Sequence, residues 1–125
     1  MSNCHQQPFA VFAVVEIADG LYAATTRAKD RGEEGRIGLP GGKVDPGESP
    51  VEALVRECAE EGWVISGVHH VPCHAQDVDG KPVQWFRADE AYPINDHKEK
   101  GRIYPVVVNA HDVKTSGFGN ENLQI

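Results

Sequence analysis

The sequence predicts an α/β domain in which a helix packs on a mixed β-sheet. Three observations predict it. Short runs rich in β-branched and aromatic residues lie on both sides of the chain's middle, one segment between them has helical periodicity, and Asp-Gly pairs punctuate the runs. At 125 residues, 40% hydrophobic and 25% charged, the chain fits a single domain over 1–125 that can bury a core without disulfide staples.

Taken in order, Phe9 to Ile17 is apolar, bounded by Pro8 and Asp19-Gly20, and reads as a buried strand leading into a hairpin-like turn. Leu21 to Arg27 alternates weakly and is the expected partner strand. Lys29 to Arg36 is charged and reads as a solvated loop. Ile37 to Glu48 holds four glycines and two prolines, too many for a helix. A helix follows. Ser49 is a good N-cap, Pro50 suits the first helical position, and Glu52 at the third completes a capping box. Val51, Leu54, Val55 and Cys58 recur at i, i+3, i+4 and i+7, an apolar stripe expected to face a core, and Gly62 is the expected stop. Val64 to Asp77 and Val83 to Ala88 read as strands around an Asp79-Gly80 turn, Asp89 to Arg102 as a polar loop, and Ile103 to Val108 as a last strand.

Composition narrows the function classes. A net charge of −7 disfavours general binding to nucleic acid or anionic membrane, since both reward basic patches. No apolar run approaches the ~20 residues of a membrane helix. Met1 to Pro8 has no basic start leading into a signal-like apolar stretch, and Cys4, Cys58 and Cys73 form no CxxC pair. The expectation is a cytoplasmic protein with reduced thiols. His69, His70 and His74 lack partnering cysteines at finger spacing, so no zinc site is read from them. Trp85 and Phe86 read as core or cleft lining.

The chemistry concentrates on the helix and the loop before it. Glu57, Glu60 and Glu61 stand at i, i+3 and i+4, so three carboxylates project from one side, turned away from the apolar stripe, with small Ala53 one turn earlier. They repel one another, and the C-terminal end of a helix dipole disfavours them further. A solvated acidic face is the ordinary explanation of such a row. The loop beside it argues otherwise. Leu39 to Glu48 (LPGGKVDPGE) brings glycines that permit close backbone approach, a fourth carboxylate in Glu48, and a run directly into the cap, while Arg56 supplies a cation to hold a carboxylate. Hard divalent ions with oxygen ligands offset this repulsion, and Mg²⁺ takes a few carboxylates plus phosphates and water.

This run resembles the signature of the Nudix hydrolases, G-x5-E-x7-R-E-U-x-E-E-x-G-U, where U is a bulky apolar residue. Gly42, Glu48, Arg56, Glu57, Cys58, Glu60, Glu61 and Val64 fill its positions over 42–64, about a fifth of the chain, and the LPGGK and PGES stretches are similar as well. Cys58 stands in an apolar slot, and Trp63 stands where the signature has glycine, with Gly62 one residue earlier. The departure puts in question the helix exit, either one residue early or strained at Trp63, and displaces no carboxylate.

The resemblance implies a Nudix α/β/α sandwich, a mixed sheet between helices, with the signature as a loop–helix–loop. It implies Glu57, Glu60 and Glu61 as ligands of Mg²⁺ or Mn²⁺, the Gly42 carbonyl and Glu48 as auxiliaries, and Arg56 as the residue that orients the carboxylates. The general base would be Glu61 or a later acidic residue among Asp89, Glu90, Asp96 and Glu99, with Glu90 ranked first. Arg27 is a phosphate-contacting candidate as in MutT-like members, Lys43 a substrate-binding candidate, and Asn120 a base-reading candidate, its amide offering both donor and acceptor. The implied reaction is hydrolysis of a diphosphate linkage in a nucleoside diphosphate compound, most simply a triphosphate to monophosphate and pyrophosphate. Alternatives are an ADP-ribose, sugar-nucleotide or dinucleotide diphosphatase, for which Pro82 is the one hint, and a nucleotide-binding sensor without turnover, against which the intact Glu57/Glu60/Glu61 set argues. The expected partner is a small nucleotide rather than nucleic acid or membrane. Dimers are frequent in the family, and nothing in the sequence marks an interface.

Overall fold

The structure is a computed structural model that describes residues 8–27, 37–69, 75–78 and 81–110, of which 75–78 are described by backbone alone. Nine strands and one helix are found among these residues: β1 (Ala10–Val14), β2 (Glu16–Ala18), β3 (Leu21–Arg27), β4 (Ile37–Gly38), β5 (Gly41–Lys43), α1 (Pro50–Glu60), β6 (Trp63–His69), β7 (Ala75–Val78), β8 (Lys81–Pro93) and β9 (Ile103–Asn109).

They form two sheets. The first runs β5-β1-β8-β6, with β7 also on β8; the second is β2-β3-β4, with β9 on β3. Within the first, β1 and β8 run parallel, Ala10 opposite Val83 through Val14 opposite Arg87, while β5, β6 and β7 pair antiparallel. The sheet is therefore mixed, as expected. Of the two helical layers expected, the described residues hold one, α1. It covers the first sheet through Val11, Ala13, Trp63, Ile65 and Phe86. A second apolar cluster, including Ala10, Val14, Leu39, Trp85 and Val108, lies between the sheets. Alternation along β1 explains the division, since successive side chains of a strand point to opposite faces.

Several boundaries differ from those read in the sequence. Phe9 to Ile17 is not one strand: it breaks at Val15, and Glu16–Ala18 crosses to the second sheet. Val64 to Asp77 is also divided, with β6 ending at His69 and β7 starting at Ala75. The polar loop begins later than Asp89, because β8 continues to Pro93 by pairing with β6, Trp63 opposite Pro93. Cross-strand hydrogen bonds hold this polar stretch extended where composition alone suggests a loop. Leu21–Arg27 and the Asp19-Gly20 turn are as read. The Lys29–Arg36 loop, the Asp79-Gly80 turn, Cys4, Cys73, His70 and His74 lie outside the described residues.

Helix α1 starts as the sequence predicts. Ser49 Oγ accepts from the Glu52 amide at 3.1 Å, and Glu52 Oε1 accepts from the Ser49 amide at 2.9 Å, satisfying two of the donors a helix start leaves open. Its buried face is rotated from the expected stripe. Leu54 and Cys58 are fully buried, but Val55 is 42% exposed and Ala53 takes its place inside. Glu57 and Glu61, spaced four apart, lie against the β5 edge, while Ala53, one turn before Glu57, joins the core. The helix ends at Glu60 with Glu61 as its C-cap, and Gly62 takes φ +105°, a left-handed conformation that favours glycine. Trp63 thus needs no strain. It opens β6, is 1% exposed, and donates from Nε1 to the Ala24 carbonyl at 2.7 Å, tying β6 to the second sheet.

Candidate active site

The first feature of the site is backbone. β5 is the outer strand of its sheet, and Gly42 leaves it bare of a side chain on the α1 side, while Gly41 lets it pass close to Val11 and Phe12 of β1. A Cβ on Gly42 would fall on the Glu57 side chain, so glycine is what allows that carboxylate to lie directly on the strand. The Gly41 amide donates to Glu61 Oε1 at 3.1 Å. Two glutamates one helical turn apart are thus drawn against the same strand edge.

Arg56 organises the other side. Its Nε and Nη2 grip Glu48 at 2.7 and 3.0 Å as a two-pronged pair. Nη1 donates to Glu57 at 3.1 Å and to Glu60 at 3.0 Å, and Nη2 also reaches the Lys43 carbonyl at 3.1 Å. One guanidinium therefore hydrogen-bonds three carboxylates and the Lys43 carbonyl and also pairs with Asp45 at 3.4 Å, and its hydrogen bonds, Glu48 first, raise its own pKa further. Glu48 is held below the usual carboxylate range by the same hydrogen bonds. Lys98 stands 3.8 Å from Glu60.

Glu57 and Glu61 are less fully compensated. Burial raises the Glu57 carboxyl, only in part offset by its hydrogen bond from Arg56. Burial pushes Glu61 up to about 8, with the charges of Glu57 and Glu99 adding to it and the Gly41 amide and Arg27 opposing it. Two carboxyls that release protons reluctantly mark a place where positive charge is in demand. Among the described residues no three His, Cys, Asp or Glu side chains already form an ion cage, because Arg56 draws Glu48, Glu57 and Glu60 toward itself.

Glu57 and Glu61 line a cleft of about 370 Å³, with Gly41, Gly42, Lys43 and Asp45 on the β5 side. Thr25 and Arg27 of β3, Gly38 and Leu39, Phe12 and Ile103 complete it. The cleft thus joins an acidic corner, two cationic side chains and an apolar wall, the composition expected of a small-molecule site. It brings together Arg27, Gly42, Lys43, Glu57 and Glu61 of the residues singled out in the sequence. Glu48, Arg56 and Glu60 stand behind them through the ion pairs. Glu90 is placed elsewhere: it lies in β8 opposite Ser66, whose hydroxyl donates to it at 3.2 Å, two strands from β5. Asp89, also in β8, pairs with His69. Asn120 lies outside the described residues.

Glu99 is among the acidic candidates read from the sequence, but the contacts that place its segment, and His97 within it, are not. Residues 94–102 return to the C-terminal end of α1, where the Ile94 amide donates to the Gly62 carbonyl and the Glu99 amide to the Glu60 carbonyl, at 2.9 and 2.8 Å. This places the Glu99 charge where it raises Glu61. His97 of the same segment is buried, its Nε2 bonded to the Ile103 carbonyl at 2.8 Å. A polar stretch with no periodicity carries no signal of such contacts.

Comparison with known proteins agrees with the geometry. The NUDIX domain profile matches residues 7–81, well over half of the chain and inclusive of β5, α1 and the loop between them. The chain belongs to the Nudix family. A curated relative, the CTP pyrophosphohydrolase of Escherichia coli strain K12, is 30% identical over 98 residues, 75% of this chain and 72% of that protein. This Nudix hydrolase also shares its fold with solved structures. One, from a study of MutT from Aliivibrio salmonicida and Vibrio cholerae, has a TM-score of 0.63 at 22% identity, covering 84% of this chain and 82% of that one. A NUDIX hydrolase from Nitrosomonas europaea has a TM-score of 0.62 at 19% identity over 89% and 78% of the two chains. No helix among the described residues is long and apolar enough to cross a membrane.

Proposed function

We propose that this Nudix hydrolase cleaves nucleoside triphosphates to the monophosphate and pyrophosphate in the Glu57–Glu61 cleft, with Mg²⁺ or Mn²⁺. The observation that carries the reading is the meeting of the poorly compensated Glu57 and Glu61 with Arg27 and Lys43 in one cleft. The activity of the Escherichia coli relative, a CTP pyrophosphohydrolase, supports it.

The donor set fits a hard divalent ion: Glu57 and Glu61 with the Gly42 carbonyl, and Glu60 and Glu48 within reach once Arg56 yields them. When bound, such an ion neutralises charge on the diphosphate and activates water. The protein's own groups do the rest. Arg27 and Lys43 meet phosphate oxygens, and Phe12, Leu39 and Ile103 offer an apolar wall for the nucleoside. Arg56 keeps Glu57 and Glu60 in register. For the proton released by the attacking water we assign Glu61 or, from the returning loop, Glu99 rather than Glu90, because Glu99 is anchored at Glu60 whereas Glu90 faces Ser66.

The test is a nucleotide panel with Mg²⁺ or Mn²⁺, with product identification. Monophosphate and pyrophosphate are expected, and Glu61→Gln lowers kcat on the order of 100-fold or more with the fold retained. Background turnover across the panel, with nucleotide still bound, would favour a sensor.

A further inference from the structure

His97 is a buried polar side chain that the reaction above does not use. It is 7% exposed. Its Nε2 lies 2.8 Å from the Ile103 carbonyl, which can only accept, so the ring carries its proton on Nε2. Nδ1 has no hydrogen-bond partner among the described residues. It faces Gly62, where a Cβ would stand 3.4 Å away and would strike the Pro105 ring at 2.8 Å. A left-handed glycine at the helix exit thus leaves room for both rings.

His97 opens a short hydrogen-bonded turn. The Lys100 amide donates to the His97 carbonyl at 3.1 Å, and the Arg102 and Ile103 amides both donate to the Glu99 carbonyl at 2.9 Å. Arg102 also pairs with the Glu99 carboxylate at 3.2 Å. Glu99 is thereby set by its own turn, and the turn is set against α1 by two backbone bonds, Glu99 to Glu60 and Ile94 to Gly62. The His97 side chain ties the turn to the start of β9, whose first residue, Ile103, lines the cleft.

We infer that His97 is a positioning residue of the hydrolase: its Nε2–H bond to Ile103 fastens the turn to the start of β9 and so steadies Glu99, whose amide is bonded to the Glu60 carbonyl, at the C-terminal end of α1. This rests on the assignment of Glu99 as a loop carboxylate of the reaction. Asparagine is too short to reach the Ile103 carbonyl, whereas the Nε2 of glutamine sits near that of histidine. His97→Asn therefore lowers kcat about 10-fold, in the range seen for outer-shell partners, with KM changed less than about 2-fold. Amide exchange at Glu99 speeds up, and His97→Gln restores both. The His97→Asn, Glu99→Gln double variant is no slower than Glu99→Gln alone. Unaltered exchange and kcat in His97→Asn would overturn the inference, as would losses that multiply independently in the double variant. In the wild type, nitrogen shifts are expected to place the His97 proton on Nε2; a proton on Nδ1 overturns the inference without recourse to any variant. Full kcat in Glu99→Gln would instead refute the assignment of Glu99 on which the inference stands.

Discussion

Glycine 42 matters because of what it lacks. The Glu57 carboxylate occupies the space a methyl would take, so Gly42→Ala forces that carboxylate or β5 to move. A shift of about 1 Å at a reacting centre can cost on the order of 100-fold in rate. Gly42→Ala is expected to lose kcat by that order while its melting transition stays cooperative; a kcat within about 3-fold of wild type would show that Glu57 need not touch the strand. At this scale much is readable in the chain. Glu57, Glu60, Glu61, Arg56 and Gly42 stand out because helical spacing and the adjoining glycines are local facts. The choice between Glu90 and Glu99 is not readable. It depends on β8 holding its course to Pro93 and on the next segment turning back to Glu60, both of which are contacts between distant parts of the chain.

At the scale of the element, α1 depends on its first turn. The reciprocal Ser49–Glu52 bonds satisfy amides that would otherwise face water, and the turn is largely exposed. Ser49→Ala is expected to cost about 1 kcal/mol of stability, read by chemical denaturation. A loss below about 0.3 kcal/mol would mean that Glu52 and Pro50 hold the start alone. The cap is legible because its partners lie three residues apart. Which face of the helix turns inward is legible only approximately. Periodicity favours Val55 over Ala53, yet in the fold Ala53 joins the core and the valine is left outside. The helix exit, in question from the signature, is resolved by Gly62 and by the place Trp63 finds in the core.

For the molecule as a whole, the site weighs on stability through its protons. Glu61 titrates at about 8 in the fold against an ordinary 4.5, so between those values the folded chain keeps a proton that the unfolded chain has lost. Stability is then fully present below about pH 4.5 and declines as pH rises through about 8. Glu57, also raised, adds in the same direction. Each tenfold difference in proton affinity between the folded and unfolded chain is worth ~1.4 kcal/mol, so the decline is on the order of a few kcal/mol. Melting curves taken in chelator across this range are expected to show it, and Glu61→Gln, which keeps an oxygen for the Gly41 amide, is expected to flatten it. Equal slopes in the two proteins would contradict the account. The architecture itself is legible in outline, as a helix on a mixed sheet, because amphipathic patterns report layers. The crossing of the early chain from one sheet to the other at Val15 leaves no such pattern.

The parallel bond between β1 and β8 has a temporal consequence. Ala10 meets Val83 only after most of the chain has been made, and β1 is also the strand on which the glycine edge rests. A nascent chain released ahead of β8 would carry every signature residue yet lack the neighbour that steadies them. Closing so long a loop delays assembly more than it weakens the finished product. Refolding of this enzyme should therefore recover helix signal well before it recovers turnover, the late step being the arrival of a strand that holds none of the signature residues.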